Sequence, residues 1–377
     1  MSQGYWNPTR RIIADGALSE LPEAAAEFHP KKVLLVTGRS SFSDSPHYRK
    51  LSEGLSSFKQ VGPLPVEHNP SVLFVEQMWR SLAGQGIDLV IGIGGGSVID
   101  CAKAVRILLA QEDKTPDLES YVSGRNRFQR RGLPFIAVPT TAGTGSEVTP
   151  YASLQTGEQR KISLTHPWLF PDVALVDPLL THTLPPYVTA CSGLDALSQA
   201  VESFWSLHHT AFSETHSLRA ITLILENFEK VLADPADSKA RFAMSAASTE
   251  AGLAITQTRT TAVHAVSYPL TTFYDIAHGH ACALTLPSFI RYNAPALEPA
   301  RADLLWKTLG APSAEEAARR VEQLIDRGGL ERSLRKLGLK AEGIERVIEN
   351  GFRSDRVVNN PRVVTQDALR EILAGIF

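Results

Sequence analysis

Asp195 and Gln199 stand four residues apart in GLDALSQA, and His264 and His278 follow in TTAVHAVSYPL and DIAHGHACA. Positions i and i+4 of a helix share a face, so the carboxylate and the amide would project together. One carboxylate, one amide and two imidazoles give two oxygen and two nitrogen donors, a set that suits Fe2+ or Zn2+ better than calcium. An ion so held polarises an alcohol or aldehyde oxygen while a nicotinamide exchanges hydride at the same carbon. Four polar residues hydrogen-bonded in unrelated places would have the same composition, and at this stage both readings stand. His280, two residues past His278, offers a further imidazole for substrate binding or proton relay. Tyr268 lies one turn beyond His264. Arg259, in QTRTTAVH, could supply positive charge to an anionic substrate.

Upstream lie two glycine-rich segments, IGIGGGSVIDCAKA and PTTAGTGSEVTP. Gly94, Gly95 and Gly96 leave the end of an apolar run and Ser97 opens a helical pattern. A backbone without Cβ atoms approaches a diphosphate closely, and the amides of the following helix favour its charge. The pattern predicts Ser97 as N-cap, with Asp100 three residues on closing a capping box. Taken alone, GGGS reads equally well as a capped turn. The second segment again follows an apolar run and offers hydroxyls from Thr140, Thr141, Thr144 and Ser146. Two such turns beyond strand ends predict a dinucleotide at the crevice of an open sheet. At the end of the first strand the chain has Gly38-Arg39-Ser40, where a carboxylate would repel a ribose 2′-phosphate. Arginine and serine there lean to NADPH, with NADH possible.

Positioning these groups calls for two kinds of domain. The 377 residues exceed the size at which one core stops growing. KKVLLVTG, DLVIGIGGG, LPFIAVPTT and PDVALVDPLL read as strands at 32–37, at 88–93, near 135 and near 175, each near-continuously apolar as strands covered on both faces are. Helical patterns separate them. After THTLPPYVTACSG the periodicity turns helical, over 188–206, 213–232, 238–256, 279–291, 297–308, 313–327 and 366–375. The expectation is an α/β dinucleotide-binding domain over 1–180 and an all-helical metal- and substrate-binding domain over 181–377. With 38 Lys and Arg against 40 Asp and Glu, the net charge of -2 carries no nucleic-acid footprint. Cys101, Cys191 and Cys282 form no C-x-x-C pair, which argues against a disulfide scaffold. No apolar signal core or membrane-length stretch is visible, so a cytoplasmic location is expected.

GGGSVIDCAKA, PTTAGTGSEVTP, the lysine and DP of KISLTHPWLFPDVALVDP, GLDALSQAVES and the H-x13-H pair ending in HG together resemble the iron-dependent (group III) alcohol dehydrogenase family, from about residue 6 to the C-terminus. The resemblance implies a Rossmann-like domain followed by a helical domain, in the architecture shared with dehydroquinate synthase, with the active site in the cleft between them. It carries the metal ligands onto Asp195, Gln199, His264 and His278. Cofactor contacts fall on Gly95, Gly96, Ser97, Asp100, Thr140, Thr141, Thr144 and Lys161, and a homodimer is implied. Two positions depart from the family pattern. Gln199 stands where a histidine is usual, and Tyr268 where a second histidine shuttles protons. Within the family, ESFWS and RTTAVHAVSYPLTTFYDIAHGHACALTLP are similar to phosphonoacetaldehyde reductases, which implies reduction of phosphonoacetaldehyde to 2-hydroxyethylphosphonate. The alternatives are a general reductase of small aldehydes or ketones, and a nucleotide-binding protein that has lost metal chemistry.

Overall fold

The computed structural model describes residues 5–39, 49, 51, 53–112, 117–158, 160–352 and 356–377. The chain divides into two compact units: 6–141 with 146–182, and 183–377 with 142–145 and Tyr5.

The first unit is built on a six-stranded sheet: β1 (Arg10–Ile13), β2 (Lys32–Gly38), β3 (Lys59–Val66), β4 (Leu89–Gly94), β5 (Phe135–Pro139) and, last in the chain, β8 (Val173–Val176). All neighbours run parallel, in the order β1-β8-β5-β4-β2-β3. Side chains of successive residues point to opposite faces, and here both faces are covered. Leu34, Val36 and Val90 join one buried cluster; Val33, Leu35, Leu89 and Ile91 join the other. That double burial is why these strands read as unbroken apolar runs. From β2 the chain moves outward to β3; from β4 it moves the opposite way to β5. The order therefore reverses between β2 and β4, the place where open α/β sheets bind ligands beyond their strand ends.

Four strands escaped the sequence reading. β1 and β3 lie at the sheet edges, and β3 carries Pro63 and Pro65, residues an edge tolerates. β6 (Tyr151–Gln155) and β7 (Lys161–Thr165) form a separate antiparallel hairpin, with burial alternating along β6.

Helices α1 (Leu21–Ala26), α2 (Val72–Leu82), α3 (Gly96–Leu109) and α4 (Leu118–Val122) flank the sheet. At α3 the structure corrects the expected cap. The helix starts at Gly96 with Gly95 as N-cap, and no side chain caps it. Ser97 Oγ instead accepts from the Asn69 amide at 3.2 Å. Asp100 accepts from Ser146 Oγ and, at 2.8 Å, from the Ser153 amide. Asp100 thus ties the helix to the hairpin rather than to its own first turn.

One turn on, Lys103 is fully buried. Its ammonium donates to Ser146 Oγ at 3.1 Å and to the carbonyls of Thr149 and Tyr151 at 2.8 Å each, 4.0 Å from Asp100. Burial lowers its pKa from 10.5 to about 8, against the opposing pull of Asp100 and Glu147. Lys103→Met should cost roughly 3–5 kcal/mol, since carbonyls and a carboxylate lose their donor in the interior. The midpoint of urea unfolding reads this directly, and an unchanged midpoint would show that the lysine staples nothing. The pH sign follows from the lowered pKa. Between about pH 8 and 10.5 the unfolded chain binds more protons at this group, so its contribution to stability rises with pH across that window. The methionine variant should lack that rise.

The second unit is helical: α5 (Pro186–Trp205), α6 (Ala211–Ala233), α7 (Ser238–Thr258), α8 (Ala262–Tyr274), α9 (His278–Asn293), α10 (Pro299–Thr308), α11 (Ala314–Arg327), α12 (Gly343–Phe352) and α13 (Gln366–Gly375). One apolar core runs through them. α8 was legible only as a helical segment around His264, because Pro269 interrupts its pattern. The turn 142–145 belongs to this unit. Gly145, at φ +60°, would place a Cβ 2.5 Å from the Gly252 Cα, so only glycine lets the turn lie on α7. The segment PTTAGTGSE is therefore not wholly a turn of the α/β domain: Thr144 falls in the helical unit, while Thr140, Thr141 and Ser146 fall in the other. Among the described residues no helix is long and apolar enough to cross a membrane.

Candidate metal centre

α5 is buried over nearly its whole length. Asp195, Gln199 and Glu202 lie along one face of it, at i, i+4 and i+7. α8 carries His264 in its first turn and ends at Asp275, whose left-handed backbone (φ 54°) turns the chain. α9 then begins at His278. A corner this short brings the two imidazoles together, with ring centroids 5.2 Å apart. α9 reaches α5 because residue 279 is glycine: a Cβ there would lie 2.0 Å from the Cys191 carbonyl oxygen and 3.1 Å from the Asp195 Cβ.

The result is a convergence on one oxygen. His264 Nε2 lies 3.3 Å and His278 Nε2 3.9 Å from Asp195 Oδ1. The far side of each ring is engaged: His264 Nδ1 by Glu202 Oε2, and His278 Nδ1 by Ser267 Oγ at 3.2 Å. Rings so anchored present their Nε2 atoms inward, as metal-ligating histidines do. Asp195 Oδ1 and Gln199 Oε1 are both buried without a hydrogen-bond partner. Although His264 Nε2 is close, no N–H is aligned on Oδ1. With the His264 Nδ1 proton given to Glu202, a nitrogen lone pair faces an oxygen lone pair, and only a proton or a cation between them relieves the repulsion. Two buried acceptor oxygens and two inward nitrogens fit a divalent ion.

The charges agree. Burial alone would raise the Asp195 pKa, but His278 and His264 outweigh it and hold the carboxyl below its ordinary value. Burial opposes a charged His264 ring, yet Cys282, Glu202 and Asp195 raise its pKa well above the ordinary value. A divalent ion competes with that proton, because only the neutral ring offers a lone pair.

Two members of this centre were missed in the sequence. Glu202 is fully buried. It accepts from the Thr261 amide and hydroxyl at 2.8 Å each and from the His264 amide at 3.2 Å, besides the His264 ring. The i+7 spacing from Asp195 was the available signal. Cys282 sits one turn past His278, with its sulfur grouped with Asp195, His264 and His278. Burial pushes its thiol up, and a protonated sulfur is a poor ligand.

Of the other expected residues, Tyr268 stacks on His278, with centroids 5.9 Å apart and planes at 26°. His280 is not gathered at Asp195. Its Nε2 donates to the Glu331 carbonyl at 2.7 Å, which leaves Nδ1 to accept from the Tyr187 hydroxyl at 3.2 Å. Both nitrogens are committed, and burial lowers its pKa. Arg259 ends α7 at φ 57°, ψ -176°, a conformation that strains any residue but glycine. In the α/β unit, Gly38 ends β2, and Arg39 pairs with the Glu67 carboxylate at an exposed position. Ser40 lies outside the described residues. Gly94 ends β4, where a Cβ would lie 2.5 Å from Val98, and Lys161 opens β7 near Asp100.

Comparison with known proteins defines the class. Residues 8–178 match the family model described as iron-containing alcohol dehydrogenase, and residues 189–377 match the C-terminal model of the same family. The chain belongs to that family and is an oxidoreductase of the alcohol dehydrogenase and aldehyde reductase kind. It is 35% identical to long-chain-alcohol dehydrogenase 1 of Geobacillus thermodenitrificans, covering 98% of this chain and 95% of that one. It is 34% identical to the phosphonoacetaldehyde reductase of Streptomyces viridochromogenes, over 86% and 87%. Sulfoacetaldehyde reductase from Bifidobacterium kashiwanohense, crystallised with NAD+, superposes with a TM-score of 0.92 at 32% identity, over 100% and 99%.

Proposed function

We propose that this protein reduces a small aldehyde to a primary alcohol with NADPH and one divalent ion, Fe2+ or Zn2+, and that its substrate is phosphonoacetaldehyde. The observation that carries the metal reading is the partnerless buried oxygen Asp195 Oδ1 facing the Nε2 atoms of His264 and His278, with a second partnerless buried oxygen, Gln199 Oε1, one turn along the same helix. Asp195, His264, His278 and Gln199 would hold the ion, with the Gln199 amide in the place where the family pattern has an imidazole. The phosphonate reading is supported by the likeness to a phosphonoacetaldehyde reductase and a sulfoacetaldehyde reductase.

The ion, when bound, supplies Lewis acidity at a carbonyl oxygen, so that the adjoining carbon accepts hydride from reduced nicotinamide. The chain does the rest. Gly94, Gly95 and Gly96 leave the α3 N-terminus bare of side chains for a diphosphate. Ser97, Asp100, Thr140, Thr141, Thr144, Ser146 and Lys161 complete the cofactor contacts. Gly38 and Arg39 meet the adenosine end, where Arg39 would exchange Glu67 for a 2′-phosphate. The oxygen that gains charge on reduction takes a proton, and Tyr268 beside His278 is the hydroxyl assigned to deliver it. His280 straps α9 to α5 through Tyr187.

NADPH oxidation with phosphonoacetaldehyde, sulfoacetaldehyde and propionaldehyde, before and after chelation and readdition of Fe2+ or Zn2+, tests the reading. Phosphonate preference that is lost on chelation and restored by metal supports it. Equal rates with propionaldehyde would instead favour a general reductase. His264→Ala should lose metal and at least about 1000-fold in kcat/KM, while NADPH still quenches tryptophan fluorescence. Retained turnover with unchanged metal dependence would remove this site from the mechanism.

A further inference from the structure

The Gln199 amide is a weak stand-in for an imidazole. Its side chain is hydrogen-bonded to the Asp195 carboxyl; a carboxylate only accepts, so the amide turns its NH2 toward Asp195. What it leaves for an ion is one neutral oxygen. A stronger donor stands on α9. Cys282 follows His278 by four residues, so the two side chains share a face of that helix. It is fully buried, and its thiol is hydrogen-bonded to the His264 ring. Asp195, His264, His278 and Cys282 each bring one donor atom to a group no wider than 4.8 Å. Within that group Asp195 Oδ1 is buried without a hydrogen-bond partner, 3.3 and 3.9 Å from the two Nε2 atoms. Donors on one tetrahedral ion stand roughly 3.3–3.5 Å apart, given bonds of about 2.0–2.3 Å. The spacing of oxygen and nitrogen thus suits an ion on which the neighbouring sulfur can also close.

Without an ion the thiol keeps its proton, and in that form it binds no metal. Loading exchanges one for the other. The S–H bond breaks, the sulfur electron pair binds the ion, and the proton is released to the buffer; no oxidation state changes. A thiolate is a softer donor than an amide oxygen or an imidazole, so it favours Zn2+ over a hard ion such as Mn2+.

We propose that Cys282 is a ligand of the divalent ion, its sulfur bound beside Asp195, His264 and His278, and that it makes the centre selective for thiophilic metals. The Gln199 amide is then not left alone to replace the imidazole of the family pattern. This assignment rests on the metal reading above and deepens it, by naming the sulfur that completes the donor set and the class of ion it selects.

Cobalt reports the bond directly, because a thiolate bound to Co2+ gives an intense near-ultraviolet charge-transfer band that oxygen and nitrogen donors do not. Metal-stripped parent protein, Cys282→Ser, Cys282→Ala and Cys191→Ala are loaded with Co2+, and the affinities for Zn2+ and Mn2+ are measured against graded chelator, with the melting temperature of each variant. Cys191 is not a member of the group and serves as the control. The parent and Cys191→Ala should show the band, and both Cys282 variants should lack it. Cys282→Ser should lower the preference for Zn2+ over Mn2+ by about 100-fold or more, since losing a ligand exceeds the 10- to 100-fold cost of losing a group that only orients one. The Zn2+ to Mn2+ ratio separates this effect from a general loss of stability. If neither Cys282 variant folds, the parent and Cys191→Ala spectra decide. Parent protein that binds Co2+ with visible bands but no charge-transfer band would overturn the role of Cys282 and leave the metal reading standing. A band lost in Cys191→Ala would give the sulfur to Cys191 and overturn the assignment. Failure of the parent to take up Co2+, Zn2+ or Mn2+ would overturn the metal reading and this assignment together.

Discussion

A Glu202→Gln variant is expected to hold its divalent ion about 10- to 100-fold more weakly than the parent chain. Glu202 touches no substrate; it acts through the tautomer of His264. As a carboxylate it only accepts, and it takes the Thr261 amide, the Thr261 hydroxyl, the His264 amide and the His264 Nδ1 proton. In the neutral ring that last bond leaves Nε2 without a proton and aimed at Asp195. A glutamine of the same shape must turn one NH2 toward some of these donors. Where it faces Nδ1, the ring moves its proton to Nε2 and points an N–H at the ion. Metal content after dialysis against graded chelator gives the affinity, and excess Fe2+ or Zn2+ should restore part of the activity. An affinity equal to that of the parent would mean that Glu202 only packs.

Gly279→Ala should be more damaging. The added Cβ would stand 2.0 Å from the Cys191 carbonyl oxygen and 2.7 Å from its carbon, both backbone atoms of a buried helix. No rotamer can relieve a backbone overlap, so α9 has to move off α5. His278 and Asp195 sit at that contact, and the ligands separate as the helices do. The expected cost is about 3 kcal/mol or more, the upper part of the range for overpacking, together with loss of bound metal. Cofactor binding should persist, because the residues proposed for it lie on other elements. Gly157→Ala is the control: no atom lies within 4 Å of a Cβ there, and the backbone is not left-handed. If Gly279→Ala loaded metal and melted like that control, the close packing of α9 on α5 would not matter to the site.

The sequence made the central strands and most helices legible for a simple reason. β2, β4, β5 and β8 are covered on both faces, and α5, α6, α7 and α9 carry long apolar stripes, so composition tracks burial. The edge strands β1 and β3 and the β6–β7 hairpin lack that coverage. The α3 cap went wrong because Ser97 and Asp100 had better partners outside the helix, Asn69 and Ser153, which spacing alone does not reveal. At the proposed metal centre, Asp195, His264 and His278 were readable because their types are those of metal ligands, and Gln199 because it stands four residues from Asp195. Glu202 has the same type as many surface residues. What sets it apart is burial beside His264, and burial of a charged side chain is a tertiary fact. His280 shows the converse: two residues from His278, it faces Tyr187 and Glu331 instead.

The place of β1 has a consequence for how the chain is made. Among the described residues β1 pairs only with β8, Arg10 opposite Val173 through Ile13 opposite Val176. Around it, Thr9 Oγ1 donates to the Pro171 carbonyl, and the Asp177 carboxylate accepts the amides of Gly16 and Leu18. β8 in turn lies between β1 and β5. During synthesis β1 therefore waits for β8, while β2, β4 and β5 can already pair. Until then β5 presents an open edge of unpaired backbone, the kind of surface that invites wrong partners. A nascent chain halted before Val173 is thus left with both a stray strand and an unguarded sheet, and the nucleotide-binding half is complete only once β8 has been made.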